Sequence, residues 1–507
     1  MFGRDLLSLS YAGFVLAREG ALAPIDTSGL PAAPRLGIGL ARLFEKREGG
    51  RQLSGALRRL GPSYIKLGQF MATRRDIVGV RVAQDLASLQ DRMPPFPEVE
   101  ARKAVEEALG RTIDEVFAEF GPPVAAASIA QVHKARLKDG RAVAVKVLRP
   151  GIERRFARDL ATFATAARLG ERLDAEARRL RLTAVADELA RSAKIEMDLR
   201  MEAAAIAEMA ANVAEDPGFR VPDVVWNASA KRVLTTEWID GVPMSDLEAV
   251  KASGHDLKKL SVTAIQSFLR HAMRDGFFHA DMHPGNLFVE PDGTLVAVDF
   301  GIMGRLGPKE RHFLAEILWG FIKQDYRRTA EVHFTAGYVP RTHKVEDFAQ
   351  ALRAIGTPIR DQSAQDISMA RLLSQLLEVT ELFDMKTRPE LLLLQKTMVV
   401  VEGVSRNLDP EFDMWAAAEP VVGEWIARNL GPAGRLAEAA ESVGALGRVA
   451  AQAPGLLERA ERIAQDFAEA AERGGLDGGN GRDETRRSLA LWVGALALVV
   501  IALAQIF

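Results

Sequence analysis

Leucine, alanine and charged residues recur at helical spacing over most of this chain, and clear period-two alternation is confined to a few short stretches. The first hundred or so residues read as helical after a Pro- and Gly-containing loop from Pro24 to Gly37. The first strand-rich patch runs from Val124 to Leu148. Within it Asp139-Gly140 separates two runs of strand character, a strong hairpin signal. Side chains alternate along a strand, so Val143, Val145 and Val147 fall on one face and Ala144, Lys146 and Leu148 on the other. Long helices are expected from about Ile152 to Ala214, followed by a second strand pair from Arg232 to Ile239 that closes on Asp240-Gly241. Leu287–Val289 and Leu295–Val298 read as a further hairpin around Pro291-Asp292-Gly293. Beyond Gly307 the pattern is helical throughout. Gly474, Gly475, Gly478, Gly479 and Gly481 then make a flexible linker before an apolar end.

Composition narrows the class. The 507 residues exceed one ordinary domain, and 48% hydrophobic with 26% charged describes a folded protein rather than a disordered one. A formal net charge of -2 gives no reason to expect a nucleic-acid partner. The absence of cysteine excludes disulfides, zinc ribbons, iron–sulfur clusters and thiol catalysis. The eight histidines show no HExxH spacing, so no built-in zinc site is expected. Met1 to Gly20 carries Arg4, Asp5, Arg18 and Glu19 around a short apolar run, which is no secretory signal. From Leu489 to Phe507, by contrast, the one polar residue is Gln505. That stretch makes a helix of about 28 Å, the thickness of a bilayer's hydrocarbon core. Arg482, Arg486 and Arg487 precede it and nothing basic follows, so a single C-terminal span with the main body in the cytoplasm is expected. The alternative is a buried core helix, which would ordinarily keep a polar face.

Candidate chemistry lies around residue 281. The stretch His279-Ala-Asp-Met-His-Pro-Gly-Asn286 is followed thirteen residues later by Asp299-Phe-Gly301. The intervening hairpin folds the chain back, so Asn286 and Asp299 can meet at one end of it. An amide oxygen and a carboxylate facing a triphosphate are oxygen ligands of the kind Mg²⁺ takes. Asp281 is then left to orient or deprotonate an attacking hydroxyl or water. This is the D-x-x-x-x-N … D-F-G arrangement of kinases. Each fragment alone is weak, and ordinary turn residues are the bland alternative; the joint spacing carries the reading. Lys146, pointing away from the three valines, fits the lysine that pairs with nucleotide phosphates, and Ala144 beside it leaves room for an adenine ring.

Four departures argue against an ordinary protein kinase. Where a glycine-rich loop should stand the chain has Val124-Ala-Ala-Ala-Ser128, stiffer because alanine reaches positive φ poorly, though able to offer backbone N–H groups and the Ser128 hydroxyl to phosphate. Ala280 replaces the arginine of HRD and no Ala-Pro-Glu follows Asp299. His283 stands two residues after the catalytic aspartate, where a lysine is usual.

Lys66-Leu-Gly-Gln69 (KxGQ), the alanine loop Ala125-Ala-Ala-Ser128, Glu196-Met-Asp198 (ExD), the catalytic stretch and Asp299-Phe-Gly301 together resemble the UbiB family of atypical protein-kinase-like proteins. The resemblance runs by motif from about Gly61 to Gly301. It implies an α+β, bilobal protein-kinase-like fold with a helical N-terminal extension, a mostly helical C-lobe and a C-terminal transmembrane helix. The corresponding division is 1–120 for the extension, 121–240 for the N-lobe with a helical insertion, 241–430 for the C-lobe, 431–487 for a helical tail and linker, and 488–507 for the span. It also implies that Lys146 is the phosphate lysine with Glu202 as its helix partner. Val124 to Ala130, that is Val124, Ala125, Ala126, Ala127, Ser128, Ile129 and Ala130, would face the nucleotide with Val132 and Ala144. Glu237 and Ile239, in the stretch Thr236-Glu237-Trp238-Ile239, would form the hinge that hydrogen-bonds adenine through its backbone. Lys66 and Gln69 would come from a helix lying over the cleft, with Lys66 meeting Glu196 and Asp198 in a regulatory contact. Lys66 and Gln69 share a helix face, as do Asp198 and Glu202, whereas Glu196 lies off that face unless a helix breaks or starts there.

The function implied is that of a kinase or ATPase at the inner membrane that supports ubiquinone synthesis. It would bind ATP or ADP with Mg²⁺ and act on or organise polyprenylphenol intermediates and the enzymes that process them. Family members have also been classed as 2-polyprenylphenol 6-hydroxylases, but no flavin or iron pattern occurs here. Two other readings stand beside it: a soluble small-molecule kinase of the aminoglycoside or choline type, and a nucleotide-binding scaffold without turnover.

Overall fold

The computed structural model describes residues 2–19, 53–72, 74–87, 89, 93–361, 375, 378–380, 382–385 and 389–431. The helical N-terminal part comprises α1 (Phe2–Arg18), α2 (Leu53–Leu60), α3 (Pro62–Ala72) and α4 (Arg75–Ala87). Ala12, Val15, Leu57, Leu60, Tyr64, Leu86 and Leu89 bury one shared apolar core between them. The loop expected at residues 24–37 lies outside the described residues. α5 (Glu98–Leu109) and the short α6 (Ile113–Val116) then lead into the first sheet.

That sheet has four strands in the order β1-β2-β3-β5, with β1 at Phe117–Ala126, β2 at Ala130–Leu137, β3 at Ala142–Leu148 and β5 at Val233–Glu237. All its pairings are antiparallel. Two expectations need correction. Strand structure starts at Phe117 rather than Val124, although Gly121-Pro122-Pro123 reads as a break. β1 is an edge strand, where proline's missing N–H costs no ladder bond, and its pairing with β2 shifts register across those residues. The segment Arg232 to Ile239 supplies one strand, not a pair, because β5 finds its partner in β3, far away in sequence. The alternation in β3 works out as the pattern requires. Val143, Val145 and Val147 are all but fully buried among Ala104, Val105, Phe117, Phe120 and Val233. Each such burial is worth about 1.5–3 kcal/mol, enough to lock which face of the strand looks inward.

After β3 come α7 (Ile152–Leu173), α8 (Ala175–Arg179), α9 (Leu182–Glu196) and α10 (Leu199–Val213), then β4 (Phe219–Arg220) and β6 (Val242–Pro243). The second half is mostly helical: α11 (Leu247–Ala252), α12 (Leu257–Arg270), α13 (Pro308–Lys323), α14 (Tyr326–Thr335), α15 (Val345–Asp361), α16 (Pro389–Leu408) and α17 (Met414–Leu430). Its short strands are β7 (Phe277–His279), β8 (Leu287–Val289), β9 (Leu295–Ala297) and β10 (Met303–Arg305). β8 and β9 form the expected hairpin inside a second sheet ordered β4-β9-β8-β6, while β7 pairs separately with β10. α12 presents Leu260, Ala264, Ile265, Phe268 and Leu269 to the core, and α16 packs along it.

The chain divides into two compact units, Met1–Val422 and Gly423–Phe507. In the second, the described residues are the end of α17, where Arg428 pairs with Glu424 at 2.6 Å. The glycine linker and the apolar stretch from Leu489 expected to span a membrane lie outside the described residues. Among the described residues, no helix is long and apolar enough to cross a membrane.

Candidate active site

Lys146 leaves β3 on the face opposite the valines and meets two carboxylates. Its Nζ lies 2.8 and 3.0 Å from the Glu202 carboxylate oxygens and 2.8 Å from Asp299 Oδ1. Glu202 comes from the first turn of α10, whose start is fixed by Asp198: the Asp198 carboxylate accepts the Arg200 backbone N–H as an N-cap. Asp299 reaches Lys146 because its backbone sits at φ 61°, the left-handed region that aspartate tolerates better than most residues. Burial works against the charge of Lys146, but the attraction of Asp299 and then Glu202 overrides it and holds the ammonium charged well above its ordinary range. The Lys146 charge holds the Asp299 carboxyl far below the usual carboxylate range. Glu202 behaves oppositely. Burial, with repulsion from Asp299, outweighs the pull of Lys146 and pushes it up to about 7. Asp299 is thus held ionised, and its side chain is half-exposed.

The catalytic stretch is clamped from both ends. β7 pairs with β10, and the Ala280 N–H donates to the Ile302 carbonyl at 3.0 Å. Beyond the turn, the Val298 N–H donates to the Asn286 carbonyl at 2.8 Å, extending the β8–β9 hairpin so that Asn286 and Asp299 stand at the same end. The Asn286 amide nitrogen donates to the Asp281 carbonyl at 3.1 Å, which ties the two residues through the turn Pro284–Asn286. His279 joins the two halves: its Nδ1 accepts the Asp281 N–H at 3.1 Å, so its Nε2 carries the proton and donates to the Val298 carbonyl at 3.1 Å. Burial keeps this imidazole neutral by lowering its pKa, and its ring stands edge-on to Phe300 at 5.0 Å. Ala280 is fully buried, with no room for an arginine side chain.

The alanine loop is held rather than loose. β1 ends at Ala126, and the Ala127 N–H closes a tight turn onto the Ala130 carbonyl at 2.8 Å. None of its residues has positive φ. Arg149 grips the Ala127 carbonyl through Nε at 3.1 Å and Nη2 at 2.9 Å, and its backbone N–H donates to the Ile129 carbonyl at 2.8 Å. Ser128 and Ala130 are buried, Ala126, Ala127 and Ile129 are half-buried, and Val124 and Ala125 are exposed. In register, Val132 stands opposite Lys146 and Ala144 opposite Thr236, so Val132, Ala144 and Lys146 share one face.

Two of the hinge N–H groups are committed within the protein. The Glu237 N–H is committed to the Asp223 carbonyl at 2.8 Å and the Trp238 N–H to the Ala142 carbonyl at 3.1 Å. The Glu237 carboxylate is taken up by Arg220, at 2.8 and 2.9 Å, and the same guanidinium also holds Glu290. Ile239, buried at the end of this stretch, is the first hinge residue whose N–H has no protein partner among the described residues.

The KxGQ and ExD residues are brought together in part. Lys66 on α3 reaches Glu196 at 2.6 Å, with both side chains about 15% exposed. Glu196 ends α9 and Asp198 caps α10, which is the helix break their spacing requires. Asp198, however, does not meet Lys66 but turns to the Arg200 guanidinium at 2.6 and 2.8 Å, a partner two residues away that its capping position favours. Gln69 is half-buried one turn along α3. Gly68 between them is closely packed: a Cβ there would displace the terminal methyls of Leu89 and Leu57.

One residue at the site has no counterpart in the expectations. Lys396, from α16, places its Nζ 3.3 Å from Asp281 Oδ1. It is the single charged residue from Leu391 to Val401, a mostly apolar stretch that also holds Gln395 and Thr397, which was the available signal.

Comparison with known proteins decides the family. The family model described as the ABC1 atypical kinase-like domain matches residues 88–333, and that described as the UbiB helical domain matches residues 352–413. A protein from Marinobacter nauticus named "Probable protein kinase UbiB" is 40% identical over 390 residues, covering 76% of this chain and 71% of that protein. Its namesake in Azotobacter vinelandii is 42% identical over 382 residues, covering 74% and 71%. The chain belongs to the UbiB family. The kinase-like fold, mixed helix and sheet, follows from the match and from the sheets described above. Within the UbiB kinase-like region lie Lys146, Glu196, Asp198, Glu202, Asp281, Asn286 and Asp299, while Lys66 and Gln69 precede it and Lys396 comes from the UbiB helical domain.

Proposed function

We propose that this UbiB protein is an atypical kinase or ATPase that binds Mg-ATP, is tethered to the membrane by its apolar C-terminal stretch, and supports ubiquinone synthesis by acting on or organising polyprenylphenol intermediates and their enzymes. The observation that carries the nucleotide part is the Lys146 bridge to Glu202 and Asp299, joined to the Asp281–Asn286 turn by His279. The donor set fits the metal: an ionised carboxylate on Asp299 and an amide oxygen on Asn286 are hard oxygen ligands, and Mg²⁺ ordinarily completes its shell with water and phosphate oxygens. When bound, that ion would neutralise charge on the phosphates. Lys146, pre-positioned and fully charged, would hold the phosphate chain. The Ile239 N–H, without a protein partner among the described residues, would donate to an adenine edge. Asp281 would orient an attacking hydroxyl and accept its proton, with its backbone fixed by His279 and Asn286. The quinone and lipid part rests on the family relationship and the names of its relatives.

The test is hydrolysis of ATP with and without Mg²⁺, anionic liposomes and a phenolic quinone precursor. Magnesium-dependent turnover raised by liposomes and phenol together supports the reading. Turnover indifferent to both favours a soluble small-molecule kinase, and tight binding without turnover favours a scaffold.

A further inference from the structure

Phosphoryl transfer needs positive charge on the side of the phosphate that faces the acceptor, as well as on the side that faces the nucleotide. Lys146 serves the nucleotide side and is bound there to Glu202 and Asp299. The catalytic loop offers no lysine for the other side. His283 occupies the place, but its ring is tied to its own loop, with Nδ1 accepting the Gly285 N–H at 3.0 Å while Nε2 stays 3.8 Å from Asp281 Oδ2. Among the described residues the cation nearest to Asp281 is Lys396, at 3.3 Å, from a helix 115 residues further along the chain.

Its backbone is placed firmly. Leu394, Thr397, Val401, Ser405 and Leu408 are buried along one side of α16, which packs on α12, and the Ser405 hydroxyl donates to the Ser261 carbonyl at 2.9 Å. The same helix touches β10, the strand that follows Asp299-Phe-Gly301. The Lys396 side chain is different: 51% exposed, it extends from this fixed base into the mouth of the cleft. A pair so exposed contributes about 0–1 kcal/mol to stability, so the contact with Asp281 does little for folding.

We propose that Lys396 is a catalytic cation delivered by the UbiB helical domain: it pairs with Asp281, and engages the phosphoryl oxygens as the γ-phosphoryl group is transferred. This rests on the phosphotransferase reading above. In the step itself, an oxygen of water or of a hydroxyl acceptor forms a bond to the γ-phosphorus. The bond from that phosphorus to the β–γ bridging oxygen breaks, its electron pair leaves with ADP, and the acceptor's proton passes to the Asp281 carboxylate. Lys396 stabilises negative charge on the transferred group, and by leaving Asp281 it frees that carboxylate to take the proton. The helical domain thereby becomes part of the active site.

The test uses the full chain with MgATP, water being the acceptor, and compares wild type, Lys396→Met and Lys396→Arg by kcat, KM, MgADP binding and thermal midpoint. The expected result for Lys396→Met is a kcat lowered about 100-fold, as for loss of one electrostatic donor, with KM, MgADP affinity and melting unchanged within twofold. Lys396→Arg should recover most of the rate. An unchanged kcat overturns the proposal, and so does a raised kcat, which would make the Asp281 contact a brake. Parallel loss of kcat, ADP binding and melting temperature overturns it in favour of a structural strut. Wild-type protein without turnover overturns the parent reading as well, whereas an active wild type beside an equally active Lys396→Met overturns this inference alone.

Discussion

Asp299→Asn isolates the charge of the metal-facing carboxylate with little else disturbed. Asparagine accepts the left-handed φ of 61° as readily as aspartate, so the backbone keeps its turn. Two electrostatic effects on stability oppose each other. The attraction to Lys146 at 2.8 Å is lost, and the repulsion that helps push Glu202 up to about 7 is relieved. With Asp299 half-exposed, each is discounted for solvent, and the net change in unliganded stability should stay within about 1 kcal/mol. Nucleotide binding should respond far more, because the substitution removes the one carboxylate among the two protein oxygens proposed for Mg²⁺. A ligand at one hundred times its Kd stabilises by about 2.7 kcal/mol, and weakening it 100-fold leaves about 0.4 kcal/mol. For a unit of this size that is a fall in the MgATP-induced thermal shift from about 3 °C to about 0.5 °C. Thermal-shift titrations with MgATP and with ATP in chelator give the comparison, and the metal-free curves of the two proteins should coincide. An undiminished MgATP shift in Asp299→Asn would remove Asp299 from the metal site and refute the reasoning.

Two other substitutions probe the surrounding contacts. Glu202 is raised from 4.5 to about 7 in the folded chain, so its protonation favours the native state: that contribution is complete below about pH 4.5 and is lost as pH rises through about 7. Relative to Glu202→Gln, the nucleotide-free wild type should therefore lose thermal stability between those limits, and parallel melting curves across the window would contradict the assignment. Lys66→Met leaves the Glu196 carboxylate largely buried without its 2.6 Å partner and should cost about 1–3 kcal/mol. Hydrogen exchange should rise in α3, and unchanged protection there would show that the pair does not fasten this helix.

Much of the site was legible because its determinants are local. Lys146 faces the cleft because three valines on alternate positions must face the core, and a strand offers only two faces. Asn286 and Asp299 come together because a tight turn at Pro291-Asp292-Gly293 leaves β8 and β9 no other antiparallel register. The break between Glu196 and Asp198 could be inferred from helical geometry alone. What tertiary structure decided was the choice of partner among groups that sequence leaves equivalent. Asp198 had Lys66 and Arg200 within its chemistry, and its position at the start of α10 selected Arg200. Gly121-Pro122-Pro123 reads as a break until β2 is present to make β1 an edge strand. The hinge amides of Glu237 and Trp238 were spoken for by carbonyls of Asp223 and Ala142, which no periodicity could reveal. Lys396 reaches Asp281 across 115 residues only because α16 packs on α12. Periodicity reports which face of an element is buried; which charged group stands opposite depends on how distant elements dock, and that is set by the packing of their apolar faces.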